Sequence, residues 1–325
     1  MTRPASTEPD FPVIAGLSPL PAALRRPVVA IGNFDGVHRG HLAVVRAACE
    51  MGARLGRPAL VLTFEPHPRS FFQPSQVLFR LTPEGQKAAC FARTGLDGVI
   101  VLPFDAALAA HTADAFVDEI LVGGFDISGA VVGFDFHFGR GRGGSPAFLK
   151  QVGAARGFEV EVVEPMLDEG DPISSSAVRA ALAAGQVGHA AHMLGRPWSV
   201  HAQVIHGHKR GRHLGYPTAN LVLPEGTLLA FGIYAVRVWV GGAVRDGVAS
   251  YGRRPTFDNG APLLEVHLFD YSGDLYGQTL DVAFHGYVRP EMRFETIEAL
   301  VARMDEDSAA ARAILARRDT PNPQP

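Results

Sequence analysis

Two histidines, His38 and His41, close the string Gly32-Asn33-Phe34-Asp35-Gly36-Val37-His38-Arg39-Gly40-His41. An apolar run, PVVAIG (27–32), precedes it and an apolar-periodic stretch follows from 41, so the string reads as a strand-to-helix turn. Glycines there let the backbone approach a ligand closely. The helix start offers unpaired N–H groups and the positive end of a dipole, a place for phosphate. Imidazoles three apart can both donate to such a phosphate, and nucleotidyl transfer needs little more than positioning and stabilisation of charge. The same spacing also fits a metal pair, or two surface histidines at a helix start.

Other stretches carry oxygen and nitrogen functions suited to phosphate esters. TFEPHP (63–68), with Glu65 and His67, stands at the carboxyl end of the next strand, where α/β sheets hold ligands. ISSSAVR (173–179) places Ser174, Ser175, Ser176 and Arg179 at another helix start; taken alone, such serines serve as an N-cap. Further on, GHKRGRHLGYPTAN (207–220) is Gly-rich and basic and lacks the order of a P-loop. Its Gly207, Gly211 and Gly215 can offer backbone N–H groups and Lys209 a cation. Thr218 and Asn220 can offer neutral oxygens to Mg²⁺, although an isolated PTAN is a plain turn. Gly139 to Gly144 satisfies GxGxxG with Glu164 beyond it, but the glycines do not follow a strand directly, which argues against a dinucleotide fingerprint. His206, His208 and His213 share their loop with Lys209, Arg210 and Arg212, which would repel a metal; they read as phosphate-facing or solvated. His189 and His192 read as surface residues of a helix.

The elements that must position these groups change character along the chain. Strands at 27–32, 58–66, 97–104, 129–136 and 157–165 alternate with helices at 41–56, 82–95 (Thr82 as N-cap) and 111–124, the grammar of a parallel sheet. After about 186 a short helix leads into strands with turn signals: SVHAQVIHG, GIYAVRVWV, AVRDGVASYG, LLEVHLFD, YSGDLYGQ and TLDVAFHGYV. That pattern implies a small antiparallel barrel, closed by an amphipathic helix from FETIEAL to LARR. The expected domains are 15–186 and 187–318, with loose ends at 1–10 and in DTPNPQP.

In this order the motifs resemble those of bacterial bifunctional riboflavin kinase/FMN adenylyltransferases, over roughly 27–315. GNFDGVHRGH is similar to the HxGH nucleotidyltransferase signature, and LGYPTAN, GIYAV, GVASYGRRPTF, LLEVHLFD, DLYGQ and VRPEMRFE to the kinase half. The resemblance implies a Rossmann-like α/β nucleotidyltransferase domain followed by a β-barrel. It implies riboflavin, FMN and ATP as substrates, with Mg²⁺. It implies an adenylyltransferase ATP site at Gly32, Asn33, Phe34, Gly36, His38, His41, Ser174, Ser175, Ser176 and Arg179. FMN contacts fall on Glu65, His67 and Asp135, the last in the flap GFDFHFG (133–139). The kinase ATP site falls on Gly207, Lys209, Gly211, Gly215, Pro217, Thr218 and Asn220, and Glu265 matches the kinase's catalytic base. The chain departs from the family pattern at Ser176 (threonine is usual), Ser250 (asparagine) and His137 (arginine).

The 325 residues suit two domains, and 47% hydrophobic with 19% charged residues is ordinary for a globular protein. Net charge −3 offers no basic field for nucleic acid, and no run approaches the length of a membrane span. No obligate protein partner is implied. Cys49 and Cys90 show no zinc or redox spacing, and with no secretory leader in MTRPASTEPD they suggest a cytoplasmic chain. Only Lys87, Lys150 and Lys209 are lysines, which coding bias explains. A single-activity nucleotidyltransferase would lack the PTAN-plus-Glu265 half, and a flavin-binding regulator without catalysis would show decay at the key residues.

Overall fold

A computed structural model describes residues 11–206, 215–253 and 262–317. The chain divides into two compact units between Ser175 and Ser176. The first holds a six-stranded sheet in the order β1-β4-β3-β2-β5-β6. These strands are β1 (Val13–Ala15), β2 (Val28–Ile31), β3 (Ala59–Glu65), β4 (Gly98–Pro103), β5 (Gly129–Gly133) and β6 (Glu159–Val163), and every pairing is parallel. β1 is an edge strand that the reading from residue 27 missed; three residues leave too little pattern to detect. The central strands are apolar on both sides because both faces are covered. Val28 and Ala30 face α1 (Arg39–Leu55), with Val44, Ala48 and Met51. Val29 and Ile31 face Leu62, Ile100, Leu121 and Leu149 on the other side.

Shorter helices complete this unit: α2 (Pro68–Phe72), α3 (Glu84–Phe91), α4 (Ala106–Ala110), α5 (Ala113–Ala115) and α6 (Pro146–Arg156). The expected helix over 82–95 is shorter at both ends, and Thr82 does not cap it: its N–H donates to the buried Asp35 carboxylate instead. The helix expected over 111–124 is capped by Thr112, then widens after α5 into a π-turn over Phe116–Val122. The lookalike Gly139–Gly144 is a small closed loop, bridged between Phe138 and Gly144, with no strand-to-helix step. A two-stranded ribbon, β7 (Leu167–Asp168) and β8 (Asp171–Pro172), ends the unit.

The second unit opens on α7 (Ser175–Ala183) and α8 (Val187–Leu194). These belong to the barrel side of the division, ahead of the change of grammar at 186: the Ala230 N–H donates to the Leu182 carbonyl at 3.0 Å. The barrel closes in the order β10-β13-β12-β11-β14-β9, entirely antiparallel. Its strands are β9 (Ser199–Ile205), β10 (Ala219–Leu221), β11 (Gly232–Val240), β12 (Ala243–Arg253), β13 (Pro262–Leu268) and β14 (Thr279–Arg289). YSGDLYGQ, expected as a strand, is a turn: the Asp274 side chain accepts from the Tyr276 N–H, the Asp274 carbonyl from Gln278, and Gly277 sits at φ 75°. PTAN, in contrast, runs into β10. The terminal helix α9 (Ile297–Arg317) packs Ala311 and Leu315 on Ala235 and Phe269. It is locked by the buried pair Arg289–Asp307, with nitrogen–oxygen distances of 2.6 and 2.8 Å.

Candidate active sites

In the first unit the turn after β2 lies where the strand order reverses, β3 on one side of β2 and β5 on the other, the place where open α/β sheets bind ligands. Phe34 (φ 51°) and Val37 (φ 43°) hold left-handed backbone, a conformation that costs non-glycine residues roughly 1–3 kcal/mol each. Both side chains are fully buried in the core beneath α1, which holds the turn in place. His38 caps α1, its Nδ1 accepting from the His41 N–H at 3.2 Å. That bond leaves a neutral His38 with its proton on Nε2. The two imidazoles stack with centroids 3.5 Å apart, and His41 meets the Phe34 ring edge-on at 5.2 Å. The His41 Nδ1 is buried and makes no hydrogen bond among the described residues. Burial, then His38 and then the Lys87 ammonium hold the His41 imidazole well below its ordinary pKa, so it is neutral at neutral pH.

Beneath the turn lies a group of buried charges. The Glu65 carboxylate takes both nitrogens of Arg80, at 2.6 and 3.0 Å, and the Lys87 Nζ at 2.5 Å. Burial opposes the charged carboxylate, but these hydrogen bonds outweigh it and hold Glu65 below its ordinary value. Lys87 also donates to the Asn33 carbonyl at 3.2 Å and to the Thr63 hydroxyl at 3.4 Å. Asp35 accepts from the Leu81 and Thr82 N–H groups, and its own carbonyl accepts from the Ser175 hydroxyl at 2.8 Å. Glu65, expected to touch flavin, therefore has its carboxylate engaged inside the protein. His67 caps α2, accepting from the Arg69 N–H. Asp135 is exposed, and its carbonyl accepts from His137 Nδ1 at 2.9 Å. Gly32, Asn33, Phe34 and Gly36 share the turn, with Ser174 and Ser175 in the same unit; Ser176 and Arg179 lie on α7 beyond the division. Sequence reading missed Asp35, Arg80 and Lys87. Only the scarcity of lysine singled out the last.

In the second unit the decisive feature is one rung of the barrel. Asn220 of β10 and Ser250 of β12 both stand directly opposite Glu265 of β13, one on each side. Leu264, Val266 and Leu268 point inward and are buried, so Glu265 projects from the outer face. Direct cross-strand neighbours have Cα atoms about 4.5–5.5 Å apart, so these three side chains share one patch. Thr218 lies just before β10, its carbonyl accepting from the Asn220 amide at 3.5 Å. The head of the motif is pinned from two directions: His267 Nδ1 donates to the Pro217 carbonyl at 2.9 Å, and the Tyr216 hydroxyl donates to Asp305 of α9. Glu291 lies over Gly252, where a side chain on that glycine would collide with its carboxylate. Burial pushes the Glu291 carboxyl above its ordinary value. Gly215, Pro217, Thr218 and Asn220 are thus placed. Gly207, Lys209 and Gly211, with His208 and His213, lie outside the described residues, as do residues 254–257 of the RPTF string. His206 stacks on Tyr276, centroids 4.1 Å apart, and His189 and His192 are exposed on α8.

Comparison with known proteins assigns both halves. The FAD synthetase family matches residues 20–177 and the riboflavin kinase family residues 194–315. A bifunctional riboflavin kinase/FMN adenylyltransferase of Pseudomonas fluorescens is 43% identical over 94% of this chain and 98% of its own. The chain belongs to that family. The enzyme of that name from Escherichia coli K12 is 38% identical, over 88% of this chain and 91% of its own. A solved structure from Streptococcus pneumoniae, described as a macrolide-efflux protein, superposes with TM-score 0.84 at 30% identity over 92% of this chain and 98% of that one. The chain is a bifunctional transferase of the two-step synthesis of FAD. Among its described residues no helix is long and apolar enough to cross a membrane.

Proposed function

We propose that the two steps are divided between the two halves, over 15–186 and 187–318, and that the residues above carry them. In the first step the 5′-hydroxyl oxygen of riboflavin attacks the γ-phosphorus of ATP, ADP leaves, and Glu265 takes the hydroxyl proton. Support comes from the rung: Asn220 and Glu265, remote in sequence, are direct neighbours on one face. Both kinase and adenylyl-transfer chemistry imply a divalent metal. The Thr218 hydroxyl and the Asn220 amide oxygen form a neutral, all-oxygen set beside a carboxylate, which fits a hard ion such as Mg²⁺. When bound, that ion would offset charge on the ATP phosphates. Gly207, Lys209, Gly211, Gly215 and Pro217 would hold those phosphates.

In the second step an FMN phosphate oxygen attacks the α-phosphorus of another ATP and pyrophosphate leaves. Phosphoryl chemistry of this kind asks for positioning and charge stabilisation rather than covalent help. His41 is suited to it because its ring is held between His38 and Phe34 and its Nδ1 makes no hydrogen bond among the described residues. A neutral, fixed imidazole gives a hydrogen bond without reorganisation as charge develops on the phosphate. His38, Ser174 and Ser175 complete the ATP contacts, with His67 and Asp135 toward FMN. The unpaired Cys49 and Cys90 suit a cytoplasmic enzyme, and the acidic balance gives no reason for a nucleic-acid partner. Incubating the protein with riboflavin, ATP and Mg²⁺ and separating the products by chromatography tests this reading. FMN followed by FAD is expected. FMN without FAD would remove the assignment of the first half.

A further inference from the structure

We propose that Lys87 is a positioning residue for adenylyl transfer: its buried ammonium holds the Asn33 carbonyl, and with it the turn that carries His38 and His41. The inference rests on the assignment of adenylyl transfer to that turn. Lys87 is 4% exposed, yet nothing about α3 requires a cation there. A buried lysine is costly unless each of its protons finds an acceptor. Three are present: the Glu65 carboxylate at 2.5 Å, the Asn33 carbonyl at 3.2 Å and the Thr63 hydroxyl at 3.4 Å. Thr63 donates in turn to the same Asn33 carbonyl at 3.2 Å. The start of the turn is therefore tied to β3 and to α3 at once. Its middle is tied by Asp35, which accepts from Leu81 and Thr82 and lies 3.8 Å from Arg80. Arg80 and Lys87 share Glu65, so one carboxylate keeps both ties in place.

The placement also acts on His41 through space. The groups that bear on its imidazole are His38 from its own turn and Lys87 from α3, with Glu65, Arg80 and Asp35 clustered around that lysine. Removing the Lys87 charge takes away one of the influences that keep His41 neutral. A residue that only filled space in the core would not move that titration.

The test uses the full chain with Lys87→Met and Lys87→Gln. The first removes charge and donor; the second keeps a short N–H donor and removes the charge. FAD formation from supplied FMN and ATP is measured as kcat and KM separately, with FMN formation from riboflavin as the internal control. The His41 ring is followed through pH by NMR. Lys87→Met should lower kcat for FAD by roughly 10–100-fold, KM staying within about threefold, because a misplaced catalytic group costs turnover rather than binding. In both variants His41 should titrate at higher pH than in the wild type, and Lys87→Gln should retain more kcat than Lys87→Met. Wild-type kcat in Lys87→Met would overturn the proposal, as would an unmoved His41 titration in the folded Lys87→Gln protein. A wild-type chain that makes no FAD would instead remove the functional reading beneath it.

Discussion

Replacing His41 by alanine deletes a donor whose surroundings are fully specified. The ring lies between the stacked His38 and the edge of Phe34, with its Nδ1 buried and unpaired among the described residues. Loss of one preorganised donor to a developing oxyanion costs about 10²–10³ in rate, equivalent to roughly 3–4 kcal/mol of transition-state stabilisation. FAD formation from FMN should fall by that factor, while FMN formation, assigned to the other half, should change by less than about twofold. Stability should respond in a pH-dependent way. The folded His41 has a pKa below the unfolded value of 6.5, so the unfolded chain binds a proton that the folded chain resists. Its contribution is therefore unfavourable as pH falls below about 6.5 and vanishes above it. Between about pH 7.5 and 5.5 this one group can remove at most on the order of 1 kcal/mol. The His41→Ala protein should accordingly lose less stability over that interval than the wild type, in thermal melts of the full chain. FAD formation within about threefold of wild type would refute the donor role. Equal loss of both activities would refute their separation, and an unchanged acid slope would refute the buried, neutral imidazole.

Other consequences can be checked on the same material. Glu265→Gln keeps shape but cannot take a proton; FMN formation should fall by about 10²–10⁴, or less if the loose transition state needs little base help, with FAD formation from supplied FMN unchanged. Wild-type kinase turnover in that variant would exclude Glu265 as base and direct attention to Glu291. A fragment beginning at Ser176 should fold and make FMN but no FAD, and should melt higher than one beginning at Val187, because it keeps the Leu182 carbonyl that receives the Ala230 N–H. Arg289→Met removes the bidentate partner of the buried Asp307 and leaves it Arg303 alone, at 3.3 Å. Breaking such a pair costs about 3–5 kcal/mol, so the barrel half should show a lowered melting transition and lose FMN formation, while FAD formation from supplied FMN persists.

Much of both halves is legible in the sequence because it depends on local physics. Alternating apolar runs and helical periodicity yield the parallel sheet, and the glycines and histidines of 32–41 mark the strand-to-helix turn at its switch point. The failures are local patterns overruled by distant groups. Thr82 has the chemistry of an N-cap, yet its N–H is taken by Asp35. YSGDLYGQ carries strand-forming tyrosines, but Asp274 and Gly277 bend it. PTAN in isolation reads as a turn, and its last two residues instead pair with β13, Asn220 with β9 as well.

What the sequence determined by itself is the chemistry on offer: paired imidazoles at a helix start, a hydroxyl and an amide two residues apart, a candidate carboxylate at 265, and the families to which the two halves belong. Tertiary structure alone decided which of these groups meet. Strand register sets Glu265 between Asn220 and Ser250, and register follows from burying alternate residues of a closed barrel, a property of all six strands together. Packing of α3 against the sheet brings Lys87 beneath the turn of His38 and His41. A buried ammonium must find acceptors wherever the fold supplies them, and no spacing along the chain encodes that the Asn33 carbonyl would be one of them.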